Sequence, residues 1–135
     1  MRKLNDLKNR HINMKWLLVS VGAALGAMLR LFFAQTMNAM HPVIPYGTLM
    51  ANILGGFLMG LVVASSNQLS NEMRFLLATG FLGGLTTFST FSAESFTLFN
   101  NGRFGFAFVL IGVHVIGSIA ATAMGFWLVN ALRSA

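Results

Sequence analysis

Four apolar runs, each long enough to cross a bilayer, take up most of this 135-residue chain. They lie at about 16–37, 47–66, 73–98 and 104–132. A helix needs roughly 20 residues to cross the hydrocarbon core, so little is left for a soluble domain. Only 9% of the residues are charged and 56% are hydrophobic, against roughly 25% charged in a soluble domain. The expected fold class is therefore an all-α membrane protein with four transmembrane helices. There is no cysteine, which excludes disulfides, thiolate metal sites and cysteine nucleophiles. A net charge of +6 would point to nucleic acid in a soluble protein. Here five of the nine basic residues fall within the first fifteen positions, so the lipid bilayer is the expected partner and nucleic acid is not.

The third run, from about Met73 to Leu98, carries a stretch that does not belong in a plain membrane helix. Residues 83–92 read Gly-Gly-Leu-Thr-Thr-Phe-Ser-Thr-Phe-Ser, two glycines and five hydroxyl side chains near mid-membrane. Gly and β-branched Thr lower helix propensity, and hydroxyls can satisfy backbone groups that a break sets free. A broken membrane helix presents carbonyls on one half and a positive N-terminal dipole on the other. Phe88 and Phe91, three residues apart, then project from one face of the second half. A solvating patch flanked by two aromatic rings at that depth reads as an ion path.

The other runs carry stripes of small and polar residues. Gly22 and Gly26 share a face of the first, and Gly80 and Gly84 one of the third. Thr48, Asn52, Gly56 and Gly60 recur every four residues along the second, and His114, Ser118 and Thr122 along the fourth. Glycine stripes permit close helix packing; taken singly, Asn52 reads equally as a helix bridge or a pore-lining residue, His114 reads as a helix bridge, and Ser118 and Thr122 can bond their own i−4 carbonyls. Prolines 42 and 45 stop helices between the first two runs. Residues 1–13 are polar and basic, and Met14 directly precedes Lys-Trp-Leu-Leu. The chain divides into a basic N-terminal extension, 1–13, and a four-helix domain, 14–135. An even number of spans puts both termini on one side. With the extension, Lys and Arg number seven on that side (Arg2, Lys3, Lys8, Arg10, Lys15, Arg74, Arg133) against two opposite (Arg30, Arg103). From Met14 the count is three against two, and only this shorter form is poorly oriented by the positive-inside rule.

Taken together, these motifs resemble the Fluc (CrcB) family of small bacterial fluoride channels. The resemblance runs from Met14 to Arg133. It rests on Gly83 to Ser92 followed by Glu94, on Gly22-Ala-Ala-Leu-Gly-Ala-Met-Leu-Arg30, on Gly47-Thr-Leu-Met-Ala-Asn52 with Gly55 and Gly56, and on His114-Val-Ile-Gly-Ser118. It implies an antiparallel, dual-topology homodimer in the bacterial inner membrane, although the basic count of the full-length chain opposes dual insertion. It also implies a structural sodium ion (Na+) on the dimer axis, held by backbone carbonyls that map to Gly83 and Thr86. The fluoride pore maps to Asn52, Phe88, Phe91, Ser89, Thr90, Ser118 and Thr122. Arg30 and Glu94 map to the charged residues near the pore entrance.

The implied function is passive, fluoride-specific conduction that keeps the ion from accumulating in the cytoplasm. An enzyme is not expected, because one histidine and one carboxylate near the membrane make no catalytic set. The alternative is a proton-coupled antiporter like the small multidrug-resistance transporters, which centre on a glutamate deep in the first helix. That helix has no acidic residue here, and Glu94 lies towards the end of the third.

Overall fold

The computed structural model describes residues 2–41 and 43–134, with side chains described from Met14 onward. In order, the elements are α1 (Arg2–Met37), a 3₁₀ turn (Asn38–Met40), α2 (Tyr46–Ala64), α3 (Asn71–Arg74), a π-wound segment (Phe75–Leu82), α4 (Gly83–Leu85), α5 (Phe88–Asn100) and α6 (Phe104–Ser134). The segment from α3 to α5 is one span, bent at Thr86 and Thr87. Four stretches are long and apolar enough to cross a membrane: Met14–Met40, Tyr46–Ala64, Asn71–Asn100 and Phe104–Ser134. The chain is a multi-pass membrane protein, and the expected spans agree with these to within a few residues. α1 passes without interruption through the expected boundary at residues 13 and 14. Its 36 residues make about 54 Å of helix, well beyond a hydrocarbon core of about 30 Å. The basic side chains of 1–13 and the helix-stopping Pro42 lie outside the described residues.

The helix ends show why the chain turns where it does. Asn38 Oδ1 accepts the N–H groups of Gly47 (2.8 Å) and Thr48 (3.3 Å), satisfying the first turn of α2 from a distance. His41 Nδ1 accepts those of Val43 (3.2 Å) and Ile44 (3.0 Å), closing the loop on itself. Ser70 caps α3 by accepting from Met73 N–H. Between α5 and α6 the chain reverses at Gly102, whose φ of 70° is a left-handed position that favours glycine. At the other end of the protein, Arg133 reaches back from α6 and donates to Ala64 O (2.8 Å) and Gln68 Oε1 (2.7 Å). The guanidinium thus meets the open carbonyls at the C-terminus of α2, where a positive charge is also favoured by the helix dipole. Trp16 and Trp127 are both about 70% exposed at this same end, the position of interfacial aromatic anchors.

Packing is interleaved: α1 lies against the first half of the third span, and α2 against α6. Glycines make both seams. A Cβ on Gly26 would strike Phe81 O and come within 2.7 Å of Leu85 N, and one on Gly80 would come within 2.8 Å of Val19 O. Across the second seam, a Cβ on Gly60 would strike Thr122 O, and one on Gly125 would strike Phe57 O. These atoms are backbone and cannot swing away. Between the seams sits a core of Ala51, Leu82 and Leu85, packed by Leu29, Phe33, Leu58, Met59, Val62 and Phe81. In a bilayer the lipid is as apolar as such a core, so close packing of this kind is a main source of helix association.

Gly26→Ala and Gly60→Ala are therefore expected to lower stability by about 1–3 kcal/mol each through overpacking. Gly112→Ala, with open space around the new methyl, should leave it unchanged. Thermal unfolding of the three variants in detergent checks this, and equal melting temperatures would refute the tight-seam account.

Candidate functional site

The break in the third span is held open by an asparagine on another helix. Asn52, on α2, accepts Thr87 N–H at its Oδ1 (2.8 Å) and donates from its Nδ2 to Thr87 O (3.2 Å). The amide thus pairs with both backbone groups of a residue that is 5% exposed, as a neighbouring strand would. Thr86 and Thr87 are extended (φ −76°, ψ 151° and φ −145°, ψ 109°). Thr87 then caps α5 by accepting Thr90 N–H at its Oγ1 (3.1 Å).

This arrangement takes the helical donors away from the Gly83 and Thr86 carbonyls, among others at the break. In an unbroken helix Gly83 O would accept from Thr87 N–H, and Thr86 O from Thr90 N–H. Those two donors go instead to Asn52 Oδ1 and Thr87 Oγ1. Gly83 is exposed and opens α4, which is only three residues long. Among the described residues no group of three or more His, Asp or Glu side chains could hold a metal ion. A hard cation at the break would be met by backbone oxygens, and the Gly83 and Thr86 carbonyls are of the right chemistry.

The hydroxyls beside the break form a small network. Each has one hydrogen. Thr87 donates its own to Thr90 Oγ1 (2.9 Å), so the 3.2 Å contact with Ser89 is a bond from Ser89 to Thr87. Thr90 keeps its hydrogen free. On α6, Thr122 Oγ1 lies 2.9 Å from Ser118 O and 3.0 Å from Gly56 O, and its hydrogen is shared between them. The Thr122 hydroxyl therefore ties α6 to α2 as well as bonding its own helix. Ser118 makes no hydrogen bond from its hydroxyl among the described residues.

Phe88 and Phe91 meet edge to face, with centroids 5.5 Å apart and planes at 63°. Their surroundings differ: Phe88 is 78% exposed and Phe91 only 7%. Phe91 stacks on His114, 4.7 Å away at 28°. His114 thus joins α6 to α5 through this stack and not through a hydrogen bond. Its Nδ1 donates back to Leu110 O (3.0 Å), and its buried Nε2 has no hydrogen-bond partner. The sequence holds no signal for this stack, because it depends on how α5 meets α6.

These residues line one open-sided cavity of about 400 Å³, bounded by Asn52, Thr86, Thr87, Phe88, Phe91, His114, Ser118 and Thr122. Arg30 lines a second cavity of about 340 Å³ with Thr48, Thr87 and Thr90. Glu94 lines a third of about 390 Å³, which Thr90 shares. Its Oε1 accepts from Thr48 Oγ1 (2.7 Å) while its buried Oε2 is unpartnered. The fold thus gathers Asn52, Phe88, Phe91, Ser118 and Thr122 at one cavity and places Arg30 and Glu94 on either side of Thr90. Ser89 is exposed and joins the group only through Thr87. Thr87 and Thr48, absent from the expected set, connect the rest; an N-cap threonine three residues before Thr90 was the available clue to the first.

Asn52→Ala should strand both backbone groups of Thr87 and lower stability by about 1–3 kcal/mol per unsatisfied group. Asn52→Gln keeps both the acceptor and the donor on a longer arm, so its loss should be smaller. Thermal unfolding in detergent ranks the two; an Ala variant as stable as the parent would show that Asn52 does not hold the break.

Residues 17–126 match the family described as CrcB-like protein, Camphor Resistance (CrcB). The chain is 50% identical over 112 residues to the "Fluoride-specific ion channel FluC" of Pseudomonas syringae pv. maculicola, covering 81% of this chain and 88% of the relative. It is 48% identical over 122 residues to the protein of the same name from Cupriavidus metallidurans, covering 88% and 97%. With that of Psychrobacter arcticus it shares 50% identity over 118 residues, covering 84% and 95%.

Proposed function

The chain belongs to the CrcB family, and from that membership we propose that it is a fluoride-specific channel that carries F⁻ passively out of a bacterial cell across the inner membrane. The observation that carries this reading is the cavity at the broken third span. It combines two aromatic rings, an asparagine amide and hydroxyls, and it lies in a protein whose relatives bear the name of fluoride channels. This is a channel and not an enzyme. Residues 14–135 carry it, and residues 1–13 are a basic extension.

Conduction needs contacts that are favourable enough to admit the ion and weak enough to release it. The positive edges of Phe88 and Phe91 suit that requirement. One hydrogen of the Asn52 amide is committed to Thr87 O, which leaves the second as a donor for the anion. The free hydrogen of Thr90 and the Ser118 hydroxyl add two more, and Ser89 and Thr122 hold the walls in place. The N-terminus of α5 adds its positive dipole. Arg30 and Glu94 stand near the entrance. The driving force is the membrane potential, about 2.3 kcal/mol per charge per 100 mV. Neutral HF enters, dissociates in a less acidic cytoplasm and strands a strongly hydrated anion, which an inside-negative potential pushes out without ATP or a coupled proton.

The working form is an antiparallel homodimer inserted in both topologies. The exposed Gly83, Ser89 and Thr90 and the freed carbonyls support it, since a lipid-facing break would leave polar groups unsatisfied in hydrocarbon. A second copy would cover them. A structural sodium ion held by the carbonyls of Gly83 and Thr86 would supply the positive charge that these oxygens lack. The long basic N-terminus opposes equal insertion both ways, and dual topology rests on the family reading.

The test is fluoride efflux from liposomes containing the purified protein, read with a fluoride electrode after valinomycin, with chloride as control. Release of fluoride without chloride is expected; release of neither from folded protein would reject the channel. Phe88→Ile and Phe91→Ile should each slow efflux about tenfold or more, the scale of ~1.4 kcal/mol lost along the path, while normal rates in both would remove the rings from the mechanism. Asn52→Asp, which places a like charge on the anion path, should block it.

A further inference from the structure

One cavity has a chemistry that the assigned pore residues do not account for. It lies at the end of the protein where α1 meets α2 and α5 meets α6, has a volume of about 390 Å³, and is lined by Asn38, His41, Thr90, Glu94, Asn101 and Arg103 among others. Thr90 also lines the cavity of Arg30, and Thr87 lines both that one and the cavity of the phenylalanines. The three follow one another through shared walls, with Arg103 in the outermost.

Donor accounting shows what this mouth offers. Asn38 spends its carbonyl oxygen on the N–H groups of Gly47 and Thr48, so its NH₂ is what remains. His41 spends Nδ1 on the N–H groups of Val43 and Ile44, so the single hydrogen of its neutral ring sits on Nε2. The one carboxylate of the lining, Glu94, already accepts the hydroxyl of Thr48. Asn38 and His41 thus leave over donors, which suit an anion, while the second oxygen of Glu94, Oε2, is buried and unpartnered.

Among the described residues, Arg103 is the only full positive charge on this lining. Its backbone is fixed: its N–H donates to Leu98 O (2.9 Å) and its carbonyl accepts from Ala107 N–H (3.1 Å), directly after the left-handed turn at Gly102. Its guanidinium makes no hydrogen bond or ion pair among the described residues. Arg133 is the contrast, since its guanidinium is committed to Ala64, Ser65 and Gln68 at the other end. A charge held at the mouth of a low-dielectric cleft and left uncommitted raises the local concentration of counter-ions.

Resting on the channel reading, we propose that Arg103 is the anion-collecting residue of this mouth, drawing fluoride into the cavity that opens towards Thr90. An arginine at a membrane end can also serve as a headgroup anchor, and the two roles differ in their response to salt. A collecting charge acts over about 30 Å at an ionic strength of about 0.01 M and over only about 3 Å at about 1 M. An anchor would change flux, if at all, by the same factor in both.

The experiment is fluoride efflux from liposomes of zwitterionic lipid at these two ionic strengths, set with a salt of a large impermeant anion. Arg103→Gln should slow efflux about 2- to 10-fold at low ionic strength and match the parent at high. Arg103→Lys, which keeps the charge, should stay close to the parent at both. A Gln variant as fast as the parent at low salt would overturn the proposal. So would one slower by a constant factor at both strengths. Parent protein that releases no fluoride would reject the channel itself, and this role with it; parent release with an unaffected Gln variant would reject only Arg103.

Discussion

Inside a bilayer no water stands by to take up an unpaired peptide group, so a helix can open at mid-membrane only where other parts of the protein supply partners. Here the partner is a single carboxamide. Asn52 offers an acceptor and a donor to the two backbone groups of Thr87 at 2.8 and 3.2 Å. The break, the start of α5, the orientation of the two phenylalanines and the freed carbonyls of Gly83 and Thr86 all follow from it. The amide can reach because α2 is held close. Thr86 packs its methyl where Gly55 has no side chain, and Gly56 and Gly60 draw α6 against the opposite face of α2.

The same accounting explains how a mostly apolar protein builds a polar route. Its hydroxyls and amides are first spent on holding helices in place: Thr122 on Gly56 and Ser118, Thr48 on Glu94, Thr87 on Thr90. On the proposed reading the lining is made of what is left, namely the second hydrogen of Asn52, the hydroxyls of Thr90 and Ser118, and two phenyl rings. Groups fixed in this way need little reorganisation when an ion passes.

Much of this was legible in the sequence because membrane insertion leaves few options. Apolar length gave the spans, and glycines spaced by four gave the seams, since only glycine permits backbone to meet backbone there. The density of Thr, Ser and Gly at 83–92 gave the break. The π winding of 75–82 was not legible, because Phe-Leu-Leu-Ala-Thr-Gly-Phe-Leu has no residue that distinguishes it from an ordinary membrane helix. For Asn52 a helix-bridging role was legible, but its partner was not. A polar residue on a stripe says that something polar faces it, and the backbone of Thr87 is placed there only by the tertiary fold. His114 shows the same limit, as its contact with Phe91 is a property of the angle between α5 and α6.

The interleaving of the spans has a consequence for biogenesis. The first finds its main partner in the third, and the second in the fourth. When the first two helices have left the translocon, each still lacks the surface it fits best, and Asn52 has no Thr87 to receive it. The nascent hairpin must wait in lipid with a polar side chain uncovered until the third helix arrives, and α2 must wait longer still for α6. Assembly is then complete only after the last helix has inserted. A chain interrupted halfway would have no completed unit for quality-control proteases to spare.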